Sequence, residues 1–228
     1  MLMVSHANTN PGLTVTWDAG EPQKYYPTGK RNYARVVAAD DFQGAADATL
    51  AKQLGVTKLF VLNDKEAYGL GVATNTKNAA LKLGIKIVGF AAWDGKASSY
   101  EATAAKIAKS GAQGVFLGGL ICENGGKLIK DIVAGAPGVK IMAPDGFTPV
   151  SAVVEQSGGK AEGIMISVAG LPVEKLPAAG QAFGKAFCAS SGANCSGGKP
   201  DPYSVYAAAA AQVLVAAIGA SDGSRADV

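Results

Sequence analysis

Four segments of the sequence place polar or small residues directly after short apolar runs, where open parallel α/β sheets bind their ligands. The functional groups they offer are a hydroxyl, an aromatic ring, two glycines and a carboxylate, from Thr9, Tyr68, Gly118, Gly119 and Asp145. A zwitterionic amino acid needs donors for its carboxylate, an anion for its ammonium group, and apolar or aromatic walls. Together these residue types favour a site for a small amino acid.

Each polar residue of this set also has a purely structural explanation. Thr9 stands just before Pro11 and can cap a turn. Tyr68 can close the helix that follows it, and Asp145 before Gly146 is typical of an Asx turn. The residues taken singly leave both explanations open.

The sequence does not support catalysis or metal binding. Cys122 and His6 would have to serve as nucleophile and base, but no third residue is placed to orient the imidazole. His6 is the only histidine, and the carboxylates and thiols show no metal-ligand spacing. The G-x-S-x-G and G-x-G-x-x-G motifs are absent. We therefore predict a binding protein without a cofactor, not an enzyme.

Composition excludes two further classes of protein. The 228 residues are 48% apolar and 17% charged, as in an ordinary globular protein. The net charge is +3, and the basic residues are scattered, which argues against nucleic-acid binding. The longest apolar candidate, Ala207–Ala217, is shorter than the ~20 residues that span a bilayer. It predicts a buried helix and no membrane span.

Two cysteines lie seven positions apart in a polar loop rich in glycine and serine. For Cys188 and Cys195 a local disulfide is favoured over two free thiols, because no metal ligands lie nearby. A disulfide indicates an oxidising, extracytoplasmic compartment.

Strand-like runs alternate with helical stretches that end at a glycine. This βαβ pattern predicts a parallel sheet with helices on both faces. The predicted strands are Leu2–Ser5, Ala34–Ala38, Lys58–Leu62, Ile85–Ala91, Gly114–Leu117, Lys140–Ala143 and Gly163–Val168. The predicted helices cover 40–54, 70–83, 100–110, 123–134, 177–189 and 204–219.

Six segments, in order and at compatible spacing, resemble motifs of one protein family. They are Leu2–Pro11, Arg35–Gly44, Asp64–Gly71, Pro144–Gly146, Ala161–Gly163 and Pro202–Ala208. The family they resemble is that of the Leu/Ile/Val-binding proteins, the type I periplasmic binding proteins of branched-chain amino acid ABC transporters. The resemblance implies the periplasmic binding protein-like α/β fold. In it, a parallel Rossmann-like sheet with flanking helices forms one near-complete lobe beside parts of a second.

The resemblance also implies roles for individual residues. Thr9 and the backbone of Ala7 would hold the ligand carboxylate from one lobe. Tyr68 would cover the ligand from the other lobe, and Asp145 would receive its ammonium group.

Two further positions would line the cleft. Leu120 stands where family members often carry an aromatic pocket residue, so the sequence does not specify the ligand side chain. Tyr203 begins a late tyrosine-containing helix and would also face the ligand.

The same resemblance divides the chain between two hinged lobes. Residues 1–32 and 171–228 are expected to be parts of one lobe, and 33–170 to form the other. Closure on the ligand would create the form that a membrane permease recognises. We expect an extracytoplasmic protein, periplasmic or lipid-anchored, whose natural chain extends beyond both ends of this one. A ligand-sensing domain of the same fold, and a binder of an aromatic acid or amide, are the alternatives.

Overall fold

Strands and helices alternate along most of the chain. The structure, a computed structural model, describes residues 1–191, 195–196, 198–225 and 227–228. Its strands are β1 (Met3–Ser5), β2 (Tyr33–Arg35), β3 (Lys58–Asn63), β4 (Lys86–Ala92), β5 (Gly114–Gly118), β6 (Lys140–Ala143), β7 (Met165–Ile166), β8 (Cys195–Ser196) and β9 (Lys199–Pro200). Its α-helices are α1 (Asp40–Gln53), α2 (Ala67–Lys82), α3 (Glu101–Lys109), α4 (Gly125–Gly135), α5 (Val150–Gln156), α6 (Ala178–Ser191) and α7 (Pro202–Gly219).

Strands β3 to β7 form one parallel sheet in the order β4-β3-β5-β6-β7. Alternate residues of β3 enter different cores. Leu59 and Val61 pack with residues of α1 and α2, whereas Phe60 and Leu62 pack with residues of α3, α4 and α5. Both faces of the sheet are covered, which explains why residues 59–62 of β3 are all apolar.

Glycines end three of the helices, as the sequence predicts. Gly55, Gly84 and Gly111 have φ values of 76°, 81° and 67°. Residues with a side chain rarely adopt this left-handed conformation, so glycine allows the chain to turn from each helix into the next strand.

The chain divides into two compact units. The first comprises Met1–Ala39 with Ala169–Val228, and the second comprises Asp40–Val168. The boundaries expected from the sequence, 33 and 170, differ from these, since residues 33–39 and 169–170 fall in the first unit. Strand β2 pairs in parallel with β1, with Tyr33 opposite Met3, so backbone hydrogen bonds tie it to the first unit.

Helix α7 differs from its prediction as a buried helix. Val205 and Ala210 are its buried residues, whereas Val213, Val215 and Ile218 are exposed. Alanine-rich composition makes the helix apolar on all sides. Its N-terminal half, residues 202–210, is buried or half-buried, whereas most of residues 211–219 are exposed, and the helix contacts β1 and α6. By length and hydropathy alone, α7 is long and apolar enough to cross a membrane. Core helices of globular proteins meet the same criterion.

Two other elements of the second unit differ from expectation. The predicted strand Gly163–Val168 is reduced to the two residues of β7, since Gly163 has a φ of 82° and turns the chain. Helix α5 was not predicted, because its seven residues after Pro149 are too few for a clear helical period.

The predicted disulfide joins the end of α6 to β8. Cys188 and Cys195 are bonded, with an S–S distance of 2.08 Å. Residues 192–194 of the loop between them lie outside the described residues. Cys122 is a free, exposed thiol.

The packing of β3 predicts how far a cavity in the core would lower the free energy of unfolding. Leu62 is fully buried and Leu81, on α2, is 54% exposed. We expect Leu62→Ala to lower the free energy of unfolding by about 2–5 kcal/mol. The matched change Leu81→Ala should lower it by less than about 1 kcal/mol, because little buried surface is lost there. Urea unfolding of both variants measures the difference, and equal losses would contradict the assignment of Leu62 to the core.

Candidate functional site

Three neighbouring strands of the second unit end at one edge of its sheet. Strands β3, β5 and β6 are adjacent and parallel, so the loops that follow them emerge side by side. Three of the residues selected from the sequence lie here: Leu120 and Asp145 in the loops after β5 and β6, and Tyr68 in the first turn of α2, directly after the loop that follows β3. The parallel order therefore explains how positions far apart in the chain reach one place.

The carboxylate of Asp64 joins the first two of these loops. It accepts hydrogen bonds from the backbone N–H groups of Glu66 and Leu120, each at 3.0 Å. Asp64 is only 4% exposed, and this burial raises its pKa, while the two N–H donors offset part of the rise. The bonds fix the backbone on which Leu120 stands.

Two glycines make room for this carboxylate. A Cβ on Gly69 would lie 2.1 Å from Asp64 Oδ1, and a Cβ on Gly119 would lie 2.5 Å from Asp64 Oδ2. Both distances are shorter than any side chain allows. The glycines in these loops are therefore required by the close approach of Asp64.

Tyr68, Leu120 and Asp145 converge around Gly146. A Cβ on Gly146 would lie 3.0 Å from both Tyr68 Cε1 and Leu120 Cδ2. The N–H of Ile121 donates to the Gly146 carbonyl at 2.8 Å, which ties the loop after β5 to the loop after β6. The ring edge of Tyr68 and the aliphatic side chain of Leu120 thus lie close to Asp145, which is the one carboxylate among these three predicted site residues.

Two neutral groups hold the carboxylate of Asp145. Tyr68 Oη donates to Asp145 Oδ1 at 2.8 Å, and Gln43 Nε2 donates to the same oxygen at 2.6 Å. Burial, and next the negative charge of Asp145, raise the pKa of Tyr68, so its hydroxyl stays protonated and remains a donor. No salt bridge joins Asp145 to a lysine or arginine in the described part of the chain. The site therefore holds a negative charge that no cation neutralises.

Gln43 connects Asp145 to a third residue, Ser167. Its Nε2 also donates to Ser167 Oγ at 3.0 Å, so both amide hydrogens are used. Gln43 lies in the family-like segment Arg35–Gly44, but the sequence alone did not indicate a role for it. Ser167 was not selected from the sequence. Ser167 lay inside the predicted strand Gly163–Val168, so the strand-end rule passed over it. In the structure β7 ends at Ile166, and Ser167 is the first residue after it.

In the first unit, Thr9 and Ala7 follow β1. Thr9 is 4% exposed, whereas Ala7 is exposed and its N–H donates to Ser5 Oγ at 3.2 Å. The guanidinium of Arg35, on β2, holds this loop by donating to Asn10 O at 2.8 Å and more weakly to Asn8 O at 3.3 Å. Arg35 is therefore a positioning residue for the loop of Thr9, a role that the sequence did not reveal.

Tyr203, at the start of α7, bonds to the backbone of its own unit. The N–H of Ala169 donates to Tyr203 Oη at 3.3 Å, and the ring lies 6.2 Å from that of Tyr206. Tyr206 in turn accepts from the Leu171 N–H at 2.6 Å. These contacts fasten α7 to the segment that begins at Ala169.

The residues considered for catalysis are not assembled within either unit. His6 and Cys122 are both exposed, and they belong to different units. Among the described residues, no group of three or more His, Cys, Asp or Glu side chains could hold a metal ion.

Comparison with known proteins identifies the family. The sequence profile described as "Periplasmic binding protein" matches residues 8–228. The chain belongs to the periplasmic binding protein family. The predicted type I fold and the resemblance to branched-chain amino acid binders are confirmed by its relatives, and the family consists of substrate-binding proteins.

The relatives are mostly longer than this chain. An amino acid binding protein of Pseudomonas aeruginosa is 27% identical, over 99% of this chain and 56% of the relative. A leucine-, isoleucine-, valine-, threonine-, and alanine-binding protein of the same organism is 26% identical, over 74% of this chain and 42% of the relative. The crystal structure of the leucine binding protein LivK from Thermotoga maritima has a TM-score of 0.79 at 21% identity, over 96% of this chain and 57% of that one. The chain thus spans about half the length of these family members.

The contacts of Arg35 predict how the Thr9 loop depends on it. Arg35→Gln removes the charged donors from the carbonyls of residues 8–10, so backbone amides of residues 8–14 should exchange hydrogen at least about tenfold faster. Arg225→Gln removes the same charge from an exposed position and serves as the control. Hydrogen exchange read by mass spectrometry measures both. Unchanged protection in Arg35→Gln would show that the loop is held by other contacts.

Proposed function

We propose that this chain is part of an extracytoplasmic solute-binding protein of an ABC transporter that binds a small, branched-chain-like amino acid. Asp145 would accept the ammonium group, Tyr68 and Leu120 would contact the ligand side chain, and Tyr203 would be a further cleft residue. The carboxylate would be held by Thr9 and the backbone of Ala7. The two units would act as hinged lobes that close on the ligand.

The observation that carries this proposal is that the carboxylate of Asp145 has no cationic partner among the described residues. Tyr68 and Gln43 fix the position of Oδ1 but leave the negative charge in place. A half-buried carboxylate gains most from a cation that can also donate hydrogen bonds, and an ammonium group supplies up to three. Oδ2 accepts no hydrogen bond from the described residues, so one oxygen is available for such a donor.

The neighbours of Asp145 favour a ligand with a short aliphatic side chain. Leu120 and the edge of Tyr68 approach Gly146 closely, and both offer apolar contact surface. Leucine at position 120, where family members often carry an aromatic ring, offers an aliphatic contact in place of a stacking one. Aliphatic amino acids therefore fit this surface better than ligands recognised through stacked rings.

Binding without chemical conversion is the activity we propose. The family consists of substrate-binding proteins, and the exposed His6 and Cys122 belong to different units. The disulfide between Cys188 and Cys195 supports residence in an oxidising, extracytoplasmic compartment. The partner would be a membrane permease that recognises the ligand-bound form.

The role of Asp145 predicts which ligands bind. Leucine should raise the melting temperature of the purified natural protein and bind with a measurable enthalpy. Its analogue 4-methylpentanoate has the same side chain and carboxylate but lacks the amine, so Asp145 would face no cation and binding should be lost. Isothermal titration calorimetry compares the two, with benzoate and acetamide as the aromatic-acid and amide alternatives. Tight binding of an amine-free acid would contradict the proposal.

Neutralising Asp145 should weaken the same interaction. Asp145→Asn keeps the size of the side chain but removes the charge that pairs with the ammonium group. Affinity for an amino acid should fall about 30-fold or more, the equivalent of about 2 kcal/mol. Asp94→Asn makes the same change at an exposed position of the same unit and should leave affinity unchanged. Equal affinity in wild type and Asp145→Asn would overturn the assignment of the ammonium site.

A further inference from the structure

A second carboxylate, Asp47, is buried behind the ammonium site proposed for Asp145. It stands one helical turn after Gln43 on α1, so the two side chains share a face of the helix. Asp47 is 1% exposed, and neither of its oxygens reaches a hydrogen-bond donor within ordinary geometry in the described part of the chain. A buried carboxylate without donors is costly when ionised, so its presence requires an explanation.

A chain of polar groups links Asp47 to Asp145. Gln43 Nε2 donates one hydrogen to Asp145 Oδ1 and the other to Ser167 Oγ, at 2.6 and 3.0 Å. Ser167 therefore uses a lone pair for Gln43 and keeps its own hydroxyl hydrogen for another acceptor. That hydroxyl is near enough to Asp47 to stabilise its ionised form. Residues from α1, from the loop after β6 and from the segment after β7 thus form one cluster.

Burial dominates the electrostatics of Asp47. The pKa of this carboxyl is raised from 3.8 to about 7 as the net result of three effects: burial raises it most, the Ser167 hydroxyl lowers it in part, and the negative charge of Asp145 raises it. The negative charge of Asp145 therefore opposes the ionisation of Asp47.

Other titratable groups stand on the elements packed against α1. They are Asp40, Asp41 and Lys52 on α1 itself, Tyr68, Lys77 and Lys82 on α2, and Lys140 on β6. Two of the lysines are engaged elsewhere, since Lys140 donates to Leu54 O and Lys77 lies over the Phe90 ring. Asp145 is the charge that acts on Asp47.

We propose that Asp47 is a protonatable positioning residue that couples capture of an amine ligand at Asp145 to pH. The proposal rests on the function proposed above for Asp145. When the ammonium group binds there, it neutralises the charge that opposes ionisation of Asp47. The Asp47 O–H bond then breaks, its proton passes to solvent, and the carboxylate keeps the electron pair.

The thermodynamic coupling between ligand binding and the proton of Asp47 determines whether affinity rises or falls with pH. If ligand binding releases a proton from Asp47, removal of that proton must strengthen ligand binding by the same factor. Affinity for an amino acid should therefore rise as pH increases from 5.5 to 8, by about fivefold or more. A ligand without an amine would bring no positive charge to Asp145 and would show no such rise.

Calorimetry in buffers of different ionisation enthalpy measures both the affinity and the protons released. Near pH 6.5, the wild-type protein should release a fraction of a proton for each leucine bound. Asp47→Asn keeps the shape of the side chain but cannot ionise, so proton release should disappear and the affinity should become flat across the pH range. Asp94→Asn should behave as wild type. A purely structural role for Asp47 predicts a uniform loss of affinity with the pH profile unchanged, and that result would overturn the proposal.

Thermal unfolding without ligand tests Asp47 independently of binding. Because its pKa is raised in the folded protein, the stability that its proton contributes is complete below 3.8 and is lost as pH rises through about 7. Asp47→Asn should therefore raise the melting temperature relative to wild type at pH 8 more than at pH 5. An equal change at both values would contradict ionisation of a buried Asp47.

If Asp47→Asn does not fold, a second variant still tests the proposal. Ser167→Ala removes the hydroxyl that favours the ionised carboxylate, so the rise in affinity should shift to higher pH. An unshifted profile would overturn the proposal. Binding of leucine with a flat pH profile in wild type would overturn the role of Asp47 and leave the amino-acid site standing. No binding of any amine at any pH would overturn both.

Discussion

The buried carboxylate of Asp64 is the constraint on which the site in the second unit depends. By accepting the N–H groups of Glu66 and Leu120, it holds the loop after β3 against the loop after β5. This close approach requires glycine at positions 69 and 119, where any side chain would overlap the carboxylate. The helix that carries Tyr68 begins directly after this contact, so the hydroxyl reaches Asp145 from a fixed direction.

Electrostatics in the site follow from a balance between burial and neutral donors. Tyr68 and Gln43 orient Asp145 without cancelling its charge, because a phenol and an amide contribute hydrogen bonds only. A lysine or arginine in their place would compete with any ammonium ligand. Positioning by neutral groups therefore keeps the charge available for binding. The same arrangement also raises the pKa of the buried Asp47, because little water lies nearby to screen it from the negative charge of Asp145.

Much of the second unit could be predicted from sequence because local rules decide it. Continuous apolar runs marked β3 and β5 as strands buried on both faces, and Gly55, Gly84 and Gly111 marked the ends of helices. The strand-end rule then selected Tyr68 and Asp145, since parallel neighbours must present their loops at one edge.

Other features could not be predicted, because they depend on contacts between distant segments. Gln43 and Asp145 are 102 positions apart, and no local pattern shows that the amide of one reaches the carboxylate of the other. The membership of β2 in the first unit depends on its pairing with β1. The exposure of α7 reflects which surfaces surround it, and an alanine-rich helix has no polar face to indicate that.

The most direct test of this account is a crystal structure of the natural protein with its bound ligand. We expect an amino acid whose ammonium nitrogen lies about 2.7–2.9 Å from an Asp145 carboxylate oxygen, with Tyr68 and Gln43 still bonded to Oδ1. A ligand without an amine, or an ammonium group held by other residues while Asp145 faces solvent, would contradict it.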